Sequence, residues 1–198
     1  MKCVKKSIFP CFETIKVIDG VPCNIEYHQK RFEKTTRDFD CYCVDKKLRD
    51  FIDAPKNGVF RVKIEYSDDI LNVTCRPYEK RVFQKFAIVE SDIKYGYKAC
   101  DRKDIDALFC EGFDDVIIMQ NTILKDTSIA NIALHVKGVW YTPKQPLLKG
   151  TTRQRLLENG FLVEADLDEA SIKKADNFAI MNALIGFLPI ENALIKRI

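Results

Sequence analysis

Several short stretches of this chain of 198 residues hold side chains able to do chemistry. Lys98 lies in Tyr95-Gly96-Tyr97-Lys98-Ala99-Cys100-Asp101-Arg102. A lysine desolvated among aromatic rings has its pKa lowered and becomes a usable amine nucleophile. His28 and Arg31 are three apart and share one face of an expected helix, where the arginine fork suits a phosphate. Thr151 and Gln154 have the spacing of a capping box. A helix starting there offers free N–H groups and a positive dipole end to an anion, and Gly150 lets the backbone approach closely. Asp126, in Asp126-Thr127-Ser128-Ile129-Ala130-Asn131, is an acid entering a strand, placed to face a cationic ring nitrogen. Taken singly, each stretch also fits an ordinary element: a surface lysine, a solvated helix face, a common cap, a turn acid.

These residues need elements to hold them. Phe12 to Asp19 alternates and meets Asp19-Gly20, a hairpin turn signal, with Val21-Pro22-Cys23 as a short return strand. Asn24 is placed to cap a helix over about Glu26 to Phe39, and a second helix is expected around Asp45 to Ala54. Gly58 to Tyr66 and Ile70 to Pro77 alternate on either side of Ser67-Asp68-Asp69, a second hairpin. Further strands are expected at Phe86–Val89, Val116–Met119, Asn131–Val136, Val139–Thr142, Phe161–Ala165 and Phe178–Met181. Helices are expected at Asp101–Phe109, Thr151–Asn159 and Asp168–Ala175, with Gly160 just beyond the second. Hairpins mixed with short helices argue for an α+β protein with mostly antiparallel sheets.

Composition narrows the function. With 32 Lys plus Arg against 29 Asp plus Glu, the net charge of +3 is too small to predict a nucleic-acid binder. His28 and His135 are the only histidines and stand far apart, so no HExxH zinc site exists. None of the eight cysteines (Cys3, Cys11, Cys23, Cys41, Cys43, Cys75, Cys100, Cys110) forms a CxxC pair. Reduced thiols in a cytoplasmic protein are expected, with no metal. The start from Met1 to Lys6 does not read as a signal peptide. The apolar run Phe178–Ile190 is too short to span a bilayer.

Together, the order and spacing of these stretches resemble the class IV family of pyridoxal-phosphate (PLP) enzymes. That family includes branched-chain and D-amino-acid aminotransferases and 4-amino-4-deoxychorismate lyase. The resemblance covers nearly the whole chain. Phe12-Glu13-Thr14 with Val17-Ile18-Asp19-Gly20 resembles its first hairpin, although the glycine-rich turn before it is reduced to Pro10-Cys11. His28-Gln29-Lys30-Arg31-Phe32 resembles the H-x-x-R-L helix whose arginine binds the cofactor phosphate. Lys98 to Arg102 is similar to the K-x-x-N-R segment whose lysine forms the Schiff base. Asp126 to Asn131 resembles E-x-x-x-[SA]-N, with an acid one methylene shorter than the usual glutamate. Tyr141-Thr142-Pro143 with Gly150-Thr151-Thr152-Arg153 is similar to T-P…G-[IV]-T-R of the phosphate cup. Ala175-Asp176-Asn177 through Asn182-Ala183-Leu184 and Pro189-Ile190 resembles the form typical of the lyase branch.

The resemblance implies a two-domain class IV fold, with a small N-terminal α+β domain over residues 1–84 and a larger C-terminal pseudo-barrel domain over 85–198. It implies a homodimer that binds pyridoxal 5'-phosphate and acts on a small-molecule amino substrate. Lys98 and Thr14 would be its catalytic residues. Arg31, Lys98, Asp126, Thr151, Thr152, Asn182 and Ala183 would hold the cofactor. The expected function is 4-amino-4-deoxychorismate lyase, which eliminates pyruvate to give 4-aminobenzoate for folate synthesis. The alternatives are a branched-chain or D-amino-acid aminotransferase of the same family, or a truncated PLP-binding protein without turnover.

Overall fold

A computed structural model describes residues 9–198; Cys3 and the Met1–Lys6 start lie outside them. The chain is α+β and divides into two compact units. The first runs to Glu79 and takes back Tyr97–Asp101. The second comprises Lys80–Gly96 and Arg102–Ile198.

The first unit is an antiparallel sheet covered by one helix. Its strands are β1 (Cys11–Ile18), β2 (Val21–Pro22), β3 (Val59–Tyr66) and β4 (Ile70–Pro77), in the order β2-β1-β3-β4. Asp19 and Gly20 both take positive φ (49° and 80°), which closes the β1–β2 hairpin as its sequence requires. Ile15, Val17, Val62, Ile64 and Tyr66 pack with Phe32 of α1 (Ile25–Asp38) and with Leu48.

Two expectations are corrected in this unit. Asn24 stands at the N-cap of α1, but in the left-handed region (φ 50°), and its side chain caps nothing. Its carbonyl instead accepts from the N–H groups of Tyr27 and His28. The second expected helix is two separate 3-10 turns, Tyr42–Asp45 and Leu48–Phe51. Gln29 is the cause: its Oε1 accepts from Leu48 N (2.8 Å) and its Nε2 donates to Lys46 O (3.0 Å). Backbone groups committed to that side chain cannot extend an i→i−4 ladder.

The second unit contains β5 (Lys85–Glu90), α2 (Lys103–Asp106), β6 (Asp115–Gln120), β7 (Ile123–Thr127), β8 (Asn131–Val136), β9 (Val139–Pro143), α3 (Thr151–Glu158), β10 (Leu162–Ala165), α4 (Glu169–Lys174), β11 (Asn177–Asn182), β12 (Gly186–Ile190) and β13 (Leu194–Arg197). Its main sheet path is β10-β9-β8-β7-β6-β5-β13, with β11 also on β8 and β12 on β11. Three pairs are parallel: β9–β10, β5–β6 and β5–β13. The other pairs are antiparallel, so antiparallel pairing dominates the chain as expected.

Both faces of β5 and β6 are buried. Phe86, Ile88, Ile117 and Met119 join the main core, while Ala87, Val116 and Ile118 pack on the other side. Strands covered on both faces read as continuous apolar runs rather than alternations. Lys137 (φ 50°) and Gly138 (φ 84°) turn β8 into β9, and Gly160 (φ 74°) follows the end of α3. No helix among the described residues is long and apolar enough to cross a membrane.

Candidate active site

In the first unit, Lys98 is carried on an extended segment beside β1. The return strand β2 pairs only with Val17 and Ile18, leaving the far edge of β1 open. The segment Tyr97–Cys100 fills that edge: Phe12 N donates to Lys98 O (2.9 Å), and Cys100 N donates to Pro10 O (2.7 Å). The Lys98 ammonium lies 4.6 Å from the centroid of the Phe12 ring, a cation–π contact. The sequence neighbours Tyr95 and Tyr97 suggested the aromatic surroundings; the ring under the ammonium comes from the hairpin instead. Thr14, two residues on, shares the Phe12 face by strand alternation and is nearly buried, opposite Lys63 in the register.

The opposite face of β1 holds an ion cluster. Glu13 is fully buried and accepts from Arg31 Nε (2.8 Å) and Arg31 Nη2 (2.6 Å). His28, also fully buried, has its Nδ1 2.6 Å from Glu13 Oε2. Burial pushes the Glu13 carboxyl up, but the Arg31 charge and the bonds from His28 and Arg31 outweigh it and hold the pKa at about 2. Glu13 is therefore ionised, and His28 Nδ1–H is the donor. Burial lowers the His28 pKa against the pull of Glu13, and the positive charges of Arg31 and Lys98 lower it further. Neutral His28 keeps Nε2 as a bare acceptor, buried with no hydrogen-bond partner. His28 and Arg31 share one helix face, as their spacing predicts, but both turn to a third residue. Arg31, expected to contact a phosphate, gives its Nε and Nη2 to Glu13.

In the second unit, Asp126 ends up deeply buried at 4% exposure. Asn131 Nδ2 donates to its Oδ1 (2.6 Å), and Leu148 N donates to its Oδ2 (2.8 Å). Burial raises its pKa to about 6; the bonds from Leu148 and Asn131 and the more distant Arg153 charge only partly offset this. A carboxylate so placed, with neutral donors as its direct partners, favours a cationic N–H neighbour.

The turn Thr127–Ala130 that follows is closed by Thr127, whose Oγ1 accepts from Ile129 N and Ala130 N. Asn182 reaches the same turn, donating from Nδ2 to Ile129 O (3.2 Å). Its Oδ1 accepts from Leu184 N and Ile185 N, an Asx turn that folds the backbone around Ala183.

Gly150 is the N-cap of α3, and its carbonyl accepts from Gln154 N (2.9 Å). Thr151 is thus the first helical residue, and no side chain caps this helix, which corrects the capping-box expectation. The box of this unit is at α4, where Asp168 and Ser171 bond reciprocally. An uncapped start leaves the first N–H groups of α3 available to an anion. Thr151 and Thr152 are both buried there. Arg153 is also buried, and its Nη2 donates to Pro143 O and Glu164 Oε1, both at 2.7 Å. That bond ties Thr142-Pro143 to Gly150-Thr151-Thr152-Arg153, which accounts for the joint occurrence of the two motifs.

The structure thus groups Lys98 and Thr14 around Phe12 in the first unit, with Arg31 on the other face of β1. It groups Asp126, Asn182 and the Thr151 turn in the second. Sequence reasoning overlooked Glu13 and the side-chain role of Asn131. Glu13 had a signal: it shares the inward alternation of Ile15 and Val17, where a charge must find a partner.

A family model for amino-transferase class IV matches residues 106–193. The chain is 31% identical over 187 residues to an uncharacterised protein of Haemophilus influenzae, covering 90% of this chain and 100% of that one. It is similar in structure to a candidate 4-amino-4-deoxychorismate lyase from Haemophilus somnus, with TM-score 0.81 and 31% identity over 90% of this chain and 97% of the other. The 4-amino-4-deoxychorismate lyase from Pseudomonas aeruginosa shares the fold at TM-score 0.72 and 18% identity, over 95% and 83% of the two chains. The fold, the motifs on it and the full-length likeness agree: the chain belongs to the class IV aminotransferase family, whose enzymes depend on PLP.

Proposed function

We propose that this protein is a PLP-dependent 4-amino-4-deoxychorismate lyase, releasing pyruvate to leave 4-aminobenzoate. The observation that carries the cofactor reading is Asp126, a buried carboxylate held by neutral groups, whose charge calls for a cationic ring nitrogen. The residues fit PLP in two further respects. The start of α3 has uncapped N–H groups for a phosphate, and Lys98 offers an amine for covalent attachment. The likeness to the Haemophilus somnus candidate lyase along nearly the whole chain favours elimination over transamination.

When bound, PLP supplies an electron sink for the bond-breaking step. Lys98 Nζ moves the proton at the amine-bearing carbon of the substrate, as general base and then acid. The Phe12 ring holds that ammonium to one side of β1. Thr14, on the same strand face, contacts the substrate. Asp126 keeps a proton on the ring nitrogen. Thr151 and Thr152 N–H groups, the Asn182-Ala183 turn and Arg31 hold the phosphate. The enzyme works as a homodimer, as the family resemblance implies, and in the cytoplasm, in keeping with its unpatterned cysteines.

The test is incubation of the PLP-loaded protein with 4-amino-4-deoxychorismate, following 4-aminobenzoate and pyruvate together. Equimolar release of both is expected. A keto acid formed only with an amino acceptor, without pyruvate release, would assign an aminotransferase instead. Borohydride reduction should fix the cofactor to the Lys98 peptide, and Lys98→Ala should abolish both the label and turnover. A protein that takes up no PLP sinks the reading.

A further inference from the structure

Asn131 lies between the buried acid and the loop leading to α3, and it touches both. Its Nδ2 donates to Asp126 Oδ1 (2.6 Å) and to Leu148 O (2.8 Å). Both neighbours are acceptors, so the orientation of the amide is fixed by chemistry: reversed, its oxygen would face two other oxygens. Leu148 N closes the ring by donating to Asp126 Oδ2 (2.8 Å). The carboxylate, the amide and the backbone N–H and C=O of Leu148 therefore form a closed hydrogen-bonded circuit.

The amide oxygen has a different neighbour. A Cβ at residue 150 would overlap Asn131 Oδ1 and sit 3.2 Å from its Cγ. Gly150 has φ −69°, a conformation open to any residue, so this glycine is required for space and not for backbone freedom. Asn131 occupies the volume that a side chain at the N-cap of α3 would take. It also makes the bonds that hold Asp126.

We propose that Asn131 is a positioning residue: through Gly150 and Leu148 it sets the spacing between the Asp126 carboxylate and the first turn of α3. A ligand with a cationic ring N–H at one end and a phosphate at the other has a fixed length. Two sites that recognise its ends must keep that length, and Asn131 is the spacer between them. The inference rests on the PLP reading above. Asn131 touches neither the proton nor the phosphate in this scheme; it acts through the groups that do.

The full-length protein is titrated with PLP as wild type, Gly150→Ala, Asn131→Ala and the double variant. Affinity and the pH midpoint of the bound cofactor's visible absorption are followed together. Gly150→Ala alone should weaken PLP binding about ten-fold or more and move the midpoint, because its methyl displaces Asn131 from Asp126. Asn131→Ala should weaken binding as well, but the double variant should lose no more than about two-fold beyond it, since the space is then vacant. Equal losses from Gly150→Ala in both backgrounds would overturn the proposal. So would a Gly150→Ala protein with a lowered Tm but unchanged affinity and midpoint, which is a merely structural role. Should Gly150→Ala fail to fold, the double variant decides: folding and binding like Asn131→Ala supports the spacer, and failure to fold refutes it. Wild type that binds no PLP overturns the cofactor reading itself, whereas wild type that binds while Gly150→Ala binds equally well overturns the spacer alone.

Discussion

Glu13 and Asp126 are two deeply buried carboxylates, one in each unit, and their surroundings drive them in opposite directions. Both pay the same kind of desolvation penalty. Glu13 meets the Arg31 guanidinium through two bonds and His28 through a third, and its pKa settles at about 2. Asp126 meets an amide and a backbone N–H, and its pKa rises to about 6. A direct contact with a formal cation outweighs burial, and neutral donors at similar distances do not. The first acid is already paired inside its own unit, while the second is left with charge for a ligand to match.

The comparison can be broken most forcefully at Glu13. Glu13→Gln removes the partner of a largely buried arginine and should cost about 3–5 kcal/mol of stability at neutral pH, read by urea denaturation. A loss below about 1 kcal/mol would show that the cluster does not hold the first unit together.

The next effect is in the pH profile, on the order of 3 kcal/mol for each acid. Glu13, with its folded pKa below the ordinary glutamate value of 4.5, contributes stability above that value and loses it as pH falls toward 2. Asp126 has the reverse sign. Its folded pKa lies above the ordinary aspartate value of 3.8, so the folded state holds a proton that the unfolded state has lost, and stability falls as pH rises from about 4 to 6. Carboxyl carbon-13 resonances should titrate with midpoints on either side of the ordinary range. Two midpoints close together would erase the contrast.

The smallest effect belongs to Asp168, a half-buried carboxylate lowered by its bonds to Ser171. Asp168→Ala should reduce the thermal midpoint less than Glu13→Gln does, by circular dichroism. An equal reduction would mean that burial contributes little to the difference between the acids.

How much of this could be read in the sequence depended on how local the cause was. The turn at Asp19-Gly20 was legible because positive φ demands particular residues at adjacent positions. β5 and β6 were legible from their apolar runs. The helix expected over 45–54 failed because Gln29, from another element, takes its backbone groups. β7 went unread because Lys125 and Asp126 interrupt its apolar pattern, and β13 because its partner β5 lies more than 100 residues earlier. The site motifs were legible as an ordered set, and the residues that support them were not. Glu13 and Asn131 work through partners that strand register and loop packing select.

The return of Tyr97–Asp101 to the first unit also has a consequence for the order of synthesis. The edge of β1 stays open until Lys98 O arrives to meet Phe12 N. During translation the hairpin, α1 and the β3–β4 pair can form early, but the unit cannot be completed from its own first 79 residues. Its last edge segment must wait for the ribosome to release residues made after the second unit has begun. For that interval the nascent chain exposes an unpaired strand edge, a surface prone to mispairing and suited to recognition by a chaperone.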